Sequence, residues 1–270
     1  MAVPDGSTID EIGKLLAAGP PMYTVADAAG RTPLHTVALY GAVGVLRLIL
    51  ASGRVTARDV NAADRRGVTP LMLAASCPEP YGSVACKALM TAGAQVDAVD
   101  RSGATPLLWA AGAGNPATVE ALLLHGANVN ARGGPHADTP LIRATTRGHV
   151  DTVISLLRHA HSFGPTALRV DEMDGGGVTA AGWCEQARAG DGWDRVSHPR
   201  ILRLLAEYRA RAASEDSPSG SGAEPRLAGM RGGFLATSSF AQSMALSEGI
   251  AAAAAPAPGT SYSYGVPAGR

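Results

Sequence analysis

Three histidines are the side chains in this sequence best suited to bind a metal ion. His149, His159 and His161 lie close together in the chain, and imidazole is a common ligand of transition metals. His149, however, follows a glycine at a recurring turn position, and the other two border an insertion. We therefore expect structural or solvent-exposed histidines and no metal site.

Two cysteines are the candidate nucleophiles. Cys77 and Cys86 flank the segment Pro78-Glu79-Pro80 and could approach each other, but no histidine or aspartate is placed to activate either thiol. Together with Cys184 they are too few and too irregularly spaced for a disulfide framework or a zinc site. We expect unreactive thiols in a reducing compartment.

The sequence lacks the motifs that mark common catalytic sites. It has no phosphate-binding Gly-Lys-Ser/Thr loop, no Gly-x-Ser-x-Gly nucleophile turn and no His-Glu-x-x-His. We therefore predict a protein that is not an enzyme and uses no cofactor. The alternative from another class is an enzyme subunit that uses the histidine-rich region from His149 to His198.

A repeated string predicts the helices that carry these side chains. Thr-Pro-Leu-x begins at Thr32, Thr69, Thr105 and Thr139, and successive threonines are 37, 36 and 34 residues apart. A threonine hydroxyl can cap a helix, and proline at the next position sacrifices no helical hydrogen bond. Each string therefore predicts the start of a short helix.

A second helix is predicted in each unit. Val150, Val153, Ile154 and Leu157 have the i, i+3, i+4, i+7 spacing of a one-sided helix, and similar apolar stripes follow the other strings. Glycine is expected to end these helices because it adopts the left-handed conformation most easily. The segments that follow are expected to be extended; they are Val60-Asn61-Ala62, Val96-Asp97-Ala98 and Val129-Asn130-Ala131.

Together these patterns resemble the ankyrin repeat. Residues 27–35 read Asp-Ala-Ala-Gly-Arg-Thr-Pro-Leu-His, and residues 122–131 read Leu-Leu-Leu-His-Gly-Ala-Asn-Val-Asn-Ala. The resemblance implies an all-α ankyrin-repeat solenoid of paired antiparallel helices with β-hairpin or loop fingers, followed here by a disordered C-terminal tail. The predicted units are an N-terminal half-repeat cap at 5–28, repeats at 29–60, 61–97, 98–130 and 131–168, a degenerate C-terminal repeat at 169–212 and the tail at 213–270.

Some positions depart from the repeat pattern. Ala137 stands where a turn glycine is usual, in a finger one residue longer than expected, so we predict a bulge there. The long link from Gly53 to Thr69 and the loop Pro78-Glu79-Pro80 are insertions, either partner-specific or neutral variations in loop length. Three helix starts lack the histidine of Thr-Pro-Leu-His and are expected to stack by apolar contact, through Met72, Leu108 and Ile142.

Composition bounds the charge and the compartment. Basic and acidic residues number 23 each, so no global field favours nucleic acid or an anionic membrane. No apolar run reaches the length of a membrane span, and no secretory signal is evident. We expect a cytosolic or nuclear protein, monomeric when unbound.

In the tail, the apolar island from Phe234 to Ile250 could dock on a partner or on the array.

The resemblance also implies where a partner binds, namely at the finger tips and the exposed face of each first helix. The finger positions are Arg65, Arg66, Arg101, Ser102 and Arg132. The first-helix positions are Leu39, Tyr40, Ser76, Cys77, Gly112, Ala113, Thr146 and Arg147, joined by Trp109 and Arg143 four residues after their threonines. Such a face would suit an acidic or aromatic segment, unless the aspartates of the fingers pair with the arginines.

The sequence thus predicts a non-catalytic protein-protein interaction module, a scaffold or adaptor whose partner is another protein or peptide segment. A more specific alternative is a substrate-recognition adaptor or regulatory subunit of a ubiquitin-ligase or proteasome assembly. Its single hint is the presence of only two lysines, Lys14 and Lys87.

Overall fold

The computed structural model describes residues 26–163, 167–188 and 196–215. The predicted N-terminal cap lies outside these residues apart from its last three positions. The predicted tail beyond residue 215, with its apolar island, also lies outside them. None of the helices in the described ranges is long and apolar enough to cross a membrane.

The described residues form pairs of helices. The first helices of the pairs are α1 (Pro33–Leu39), α4 (Pro70–Ser76), α6 (Pro106–Ala113), α8 (Pro140–Thr146) and α10 (Ala180–Arg188). The second helices are α2 (Val43–Ala51), α5 (Tyr81–Thr91), α7 (Pro116–Leu124), α9 (Val150–Phe163) and α11 (Ser197–Glu215). First helices pack on first helices and second on second. This is the predicted solenoid of stacked helix pairs.

Three of the four threonines of the repeated string cap the first helices through their hydroxyls as predicted, whereas the Thr32 hydroxyl lies 2.9 Å from Nδ1 of His35. The Oγ1 atoms of Thr69, Thr105 and Thr139 accept the backbone N–H three residues ahead, at 3.5, 3.4 and 3.2 Å. In each case proline follows at the first helical position. The local sequence therefore fixes where each helix begins.

His35 makes the contact that links the first repeat to the second. Its Nδ1 accepts the N–H of Thr32 at 3.0 Å, and its Nε2 lies 3.0 Å from the carbonyl oxygen of Val68. Since Nδ1 accepts, Nε2 carries the proton and donates to Val68. The residues that replace this histidine in the later repeats, Met72, Leu108 and Ile142, are buried, as expected for apolar stacking.

The core lies between the two rows of helices. Leu71, Leu107, Leu122, Leu141 and Leu157 are among its fully buried side chains. Close approach of the rows depends on glycine at the bends: Gly114 has φ +76°, and a Cβ there would lie 2.6 Å from the His149 ring. Any other L-residue at this position would be strained by the positive φ and would have to displace the His149 ring of the next repeat.

The segments between repeats differ from the sequence prediction. The expected extended stretch at Val60-Asn61-Ala62 is wrong, because Val60 belongs to a one-turn helix, α3 (Ala57–Val60), capped by Thr56. The corresponding segments at Val96 and Val129 enter turns. Their polar residues join neighbouring repeats: Asn61 donates to the Gly93 carbonyl at 2.9 Å, and Asn130 donates to the Ala167 carbonyl at 2.7 Å. Neighbouring repeats are thus joined in these segments by side-chain hydrogen bonds and not by pairing of extended strands.

The insertion Pro78-Glu79-Pro80 is part of the repeat-to-repeat contact. The Oε1 atom of Glu79 accepts the backbone N–H of Thr118 at 2.8 Å and its hydroxyl at 2.9 Å. Thr118 lies in the first turn of α7, where backbone N–H groups lack helical partners. Glu79 therefore caps a helix of the next repeat.

Candidate recognition surface

A turn closed by an aspartate forms the finger in front of most helix pairs. In each of these turns one carboxylate oxygen accepts the backbone N–H groups two and four residues ahead, at 2.7 to 3.0 Å. The four aspartates are Asp27, Asp64, Asp100 and Asp174. The turn chemistry of the sequence thus builds rigid fingers, and it occupies the carboxylates in doing so.

The fourth finger is built differently. It closes through backbone pairing between Gly133 and Asp138, and Ala137 adopts φ +50°. Gly67 and Gly103 have positive φ at the same place in their fingers, two residues before the capping threonine, so Ala137 keeps the left-handed conformation that the other fingers give to glycine. An alanine there is unusual, since its Cβ crowds the backbone in that conformation.

Backbone hydrogen bonds join each finger tip to the next. The N–H groups of Arg65, Arg101 and Gly134 donate to the carbonyls of Ala29, Arg66 and Ser102, each at 2.9 Å. Gly175 continues the series by donating to His136. The tips therefore form one continuous edge, in which Arg66 and Arg101 are direct neighbours.

Side chains four residues after the capping threonines bind the fingers from below. The indole Nε1 of Trp109 donates to Asp100 at 3.1 Å, and that of Trp183 donates to Asp174 at 2.7 Å. Arg143 occupies the same position and pairs with Asp138 at 3.1 Å. Both tryptophans are half-buried. Their N–H groups are engaged, so only the rings remain to contact a partner.

These hydrogen bonds hold the pKa values of two finger aspartates below their usual value. Burial alone would raise the pKa of Asp100, but the bonds from Ser102, Ala104 and Trp109 outweigh it. At Asp174, burial is likewise outweighed by bonds that include those from Val178 and Trp183, and the pKa is lowered. Both carboxylates are therefore charged and engaged within their own turns at neutral pH.

Three finger arginines carry charges that the described residues do not neutralise. Arg65, Arg66 and Arg101 are exposed, and none of them forms an ion pair within the described ranges. Asp64, which precedes Arg65, is buried and lies 3.7 Å from Arg31, and Asp100, which precedes Arg101, is bound to Trp109. A compact positive patch results on the second and third fingers, and Ser102 lies exposed beside it.

Comparison with protein families agrees with this architecture. A family model described as ankyrin repeats, in three copies, matches residues 79–167, and a single ankyrin repeat matches residues 29–65. Both stretches are ankyrin repeats. No curated protein matches it. Ankyrin repeats are generally protein-protein interaction modules, and no enzyme family is indicated.

The other sites predicted on the ankyrin array are distributed unevenly. Arg132 is exposed but pairs with Glu172 at 3.1 Å, and Arg147 is exposed and donates to the Gly112 carbonyl at 2.8 Å. Tyr40 is 67% exposed at the C-terminal end of α1, at the opposite end of that helix from its finger. The structure therefore does not gather all the proposed positions into one cluster.

Two of the first-helix positions are wrong as surface sites. Cys77 is 5% exposed, because the chain turns inward at the insertion that follows α4. Gly112 is buried beneath Arg143 and Arg147, whose side chains lie 3.1 and 3.8 Å from the place of a Cβ on this glycine. Tyr81 is half-exposed and lies next to Gly41. The sequence analysis did not include it among the surface positions, because it follows the insertion and has no fixed place in the repeat pattern.

The candidate metal and nucleophile residues are dispersed or buried. Among the described residues, no group of three potential ligands could hold a metal ion, and His149 lies 3.3 Å from the Gly112 carbonyl. All three cysteines are free and buried. Burial raises the pKa of Cys77 and Cys86, and it raises that of Cys184 to about 11. These thiols stay protonated at neutral pH and are poor nucleophiles.

Proposed function

We propose that this chain is a non-catalytic adaptor or scaffold that binds an acidic segment of a partner protein across its second and third fingers. The observation that carries the proposal is the unmatched charge of Arg65, Arg66 and Arg101. The finger aspartates that could have neutralised these arginines are engaged by their own turns.

The geometry of the fingers supports a specific contact. The hydrogen bond from Arg101 N–H to the Arg66 carbonyl holds the two backbones side by side at 2.9 Å. Arginine presents a planar fork of donors that matches a carboxylate bidentately. Two such groups on a rigid edge lose little backbone entropy on binding, so they can select a segment with closely spaced acidic side chains.

The face below the fingers supplies the apolar part of the proposed site. Trp109 lies under the third finger with its N–H bound to Asp100, so its ring can pack against an apolar or aromatic partner residue. Arg147, the residue after α8, is exposed and adds a positive charge without an acidic partner in the described ranges. Tryptophan and arginine are enriched among the residues that dominate interface energies.

Charge reversal tests the proposal. Full-length chain would be immobilised, and proteins retained from a cell lysate would be compared with those retained by an Arg66→Glu/Arg101→Glu variant. We expect the specific partner to be lost from the variant. We also expect it to elute from the original chain between about 0.05 and about 0.5 M salt, because exposed charges are screened over this range.

The control reverses two charges elsewhere. Arg47 and Lys87 lie on α2 and α5 and are exposed without ion pairs in the described residues. An Arg47→Glu/Lys87→Glu variant therefore has the same net charge as the finger variant. Retention of the finger partner by this control supports the proposal. Salt-insensitive retention that survives the finger reversal contradicts it.

A further inference from the structure

An open groove runs between the second helices of the first two repeats. Its volume is roughly 670 Å³, and its walls include Arg47, Leu50 and Ala51 from α2 and Val84, Lys87 and Ala88 from α5. The groove lies where α2 packs on α5, a less extensive contact than that of α5 with α7. A volume of this size is comparable to that of ligand-binding clefts.

The walls of the groove have a surface shape that suits packing of a further helix. Val84, Ala88 and Ala92 follow each other at intervals of four along α5 and line the groove. Rows at this spacing form the ridges and grooves through which helices pack. Alanine at two of the three positions keeps the row low, so that larger side chains of an incoming helix can enter.

The charges at the rim of the groove have one sign. Arg47 and Lys87 are exposed, and neither forms an ion pair among the described residues. Residues 43–51 and 81–91, which form α2 and α5, contain no aspartate or glutamate. The Thr91 hydroxyl donates to the Lys87 carbonyl at 2.8 Å, so its proton is already used within α5. Arg47 and Lys87 are therefore the donors that the groove can offer to an acidic ligand.

The outer helices farther along the array lack this unmatched charge. On α7, Glu120 accepts from Ser155 at 2.9 Å and pairs with Arg158 of α9 at 3.3 Å. The basic residue Arg158 in this part of the row therefore has an acidic partner on the neighbouring helix. The groove of the first two repeats combines an apolar floor with cations that have no partner in the described chain.

We propose that this groove binds an acidic amphipathic helix of a partner protein. The apolar stripe of that helix packs against Leu50, Val84 and Ala88, and its flanking carboxylates face Arg47 and Lys87. Helix-in-groove recognition uses this combination of apolar anchors and peripheral charge. The surface is separate from the fingers and does not depend on the function proposed for them, so the chain can hold two partners.

Binding of synthetic peptides to the full-length chain tests the proposal. One helical peptide carries a leucine stripe at i, i+4 spacing flanked by glutamates, and its control has glutamines in place of the glutamates. We expect the glutamine peptide to bind about tenfold more weakly at low salt, measured by fluorescence anisotropy, because complementary charges are lost. Equal affinity for the two peptides contradicts the acidic character of the partner.

Variants locate the binding site. Arg47→Glu/Lys87→Glu should abolish binding by repulsion, and Ala88→Trp should weaken it at least about tenfold by filling the floor without changing charge. Arg66→Glu/Arg101→Glu removes the site proposed on the fingers; in this background the peptide should still bind, and either groove change should then abolish or weaken that binding. Circular dichroism of each variant verifies that the array is folded. Binding that survives both groove variants in folded protein overturns the proposal.

Crosslinking gives an independent readout. Lys87 is one of only two lysines in the chain, the other being Lys14. A carbodiimide joins a peptide carboxylate to a nearby lysine amine, and mass spectrometry identifies the residue. We expect attachment of the glutamate peptide at Lys87, and its loss in Lys87→Arg, which keeps the positive charge and the binding. Attachment confined to Lys14 contradicts the assignment.

Discussion

Trp109 and Trp183 show how much a single side chain can depend on a distant neighbour. Each indole binds an aspartate nine residues earlier, Asp100 or Asp174. The position four after the capping threonine was recognised from the sequence, but exposure and burial of Trp109 could not be distinguished. The equal spacing of the two Asp–Trp pairs was a signal in the sequence that could have resolved it.

Acid should weaken the fingers through these aspartates. The pKa values of Asp100 and Asp174 are lowered in the folded chain, whereas an unfolded aspartate has a pKa of about 3.9. A depressed folded pKa contributes stability that is present above the unfolded value and is lost as the pH falls through the folded one. We therefore expect the free energy of unfolding, measured in urea, to decline between about pH 5 and about pH 2.

The control for this prediction removes the titration and keeps an acceptor. In Asp100→Asn/Asp174→Asn the side-chain oxygen still accepts backbone N–H groups but no longer changes charge. The decline in stability below about pH 4 should be smaller in this variant than in the original chain. An identical pH dependence in the two proteins would show that other carboxylates govern the acid transition.

The histidines and cysteines show that residue type alone can suggest a metal site or a nucleophile that the structure does not form in the described residues. His149 was a candidate metal ligand, yet it lies beside the Gly112 carbonyl and packs over the bend at Gly114. Burial lowers its pKa, as does the charge of Arg147, although the Gly112 carbonyl opposes the shift. Its position after Gly148 in the repeat was the better guide to its role.

The helices α1, α4, α6 and α8 could be predicted well because their signals are local. A capping threonine and an N1 proline act within one turn, and the structure begins each of these helices at the predicted residue. The one helical turn of α3 was missed, although the pairing of Thr56 with Asp59 that caps it is also a local signal. Insertions fall outside the repeat pattern that guided the rest.

The Glu79 insertion gives an element-level prediction. Glu79→Ala leaves the Thr118 N–H and hydroxyl without their acceptor at the start of α7, and loss of a helix cap costs about 0.5–2 kcal/mol of stability. Glu79→Gln keeps an acceptor but loses the negative charge that favours a helix N-terminus. We expect urea unfolding to rank the proteins as original chain, then Gln, then Ala.

A substitution elsewhere in the array controls for loss of surface charge alone. Glu185 is exposed on α10 and has no acceptor role in the described hydrogen bonds. Glu185→Ala should change stability by less than about 0.5 kcal/mol. If Glu79→Ala is equally mild, the insertion does not stabilise the stack, and its interpretation as neutral variation in loop length would stand.

The array was predictable as a whole because the same pattern recurs in register, whereas the binding sites were not. Repetition fixes the residues that are alike in every unit, and partner selection depends on those that differ. The arginines of the fingers could be placed by resemblance, but their lack of partners became visible only with the hydrogen bonds of Asp64 and Asp100 in place. The groove between α2 and α5 depends on helix separation, which no local signal encodes.

Stacking of repeats predicts that the position of a core mutation decides how far its effect spreads. Each repeat contacts only its neighbours, so stability is close to a sum of local and nearest-neighbour terms. Leu122 and Leu34 are both fully buried, and truncation of either to alanine should cost about 2–5 kcal/mol locally. Leu122 lies in the middle of the array, while Leu34 lies in the first described helix.

The tryptophans provide a probe that separates the two cases. Trp109, Trp183 and Trp193 all lie in the third repeat or beyond, so their fluorescence reports unfolding of that part, while far-UV circular dichroism reports every helix. Leu122→Ala should move both urea transitions to lower concentration. Leu34→Ala should make the circular dichroism transition begin earlier and leave the fluorescence midpoint nearly unchanged, because the first repeat can unfold without the third. Coincident shifts of both probes in Leu34→Ala would mean that the array unfolds as one cooperative unit, in which the neighbour terms dominate the stability of each repeat.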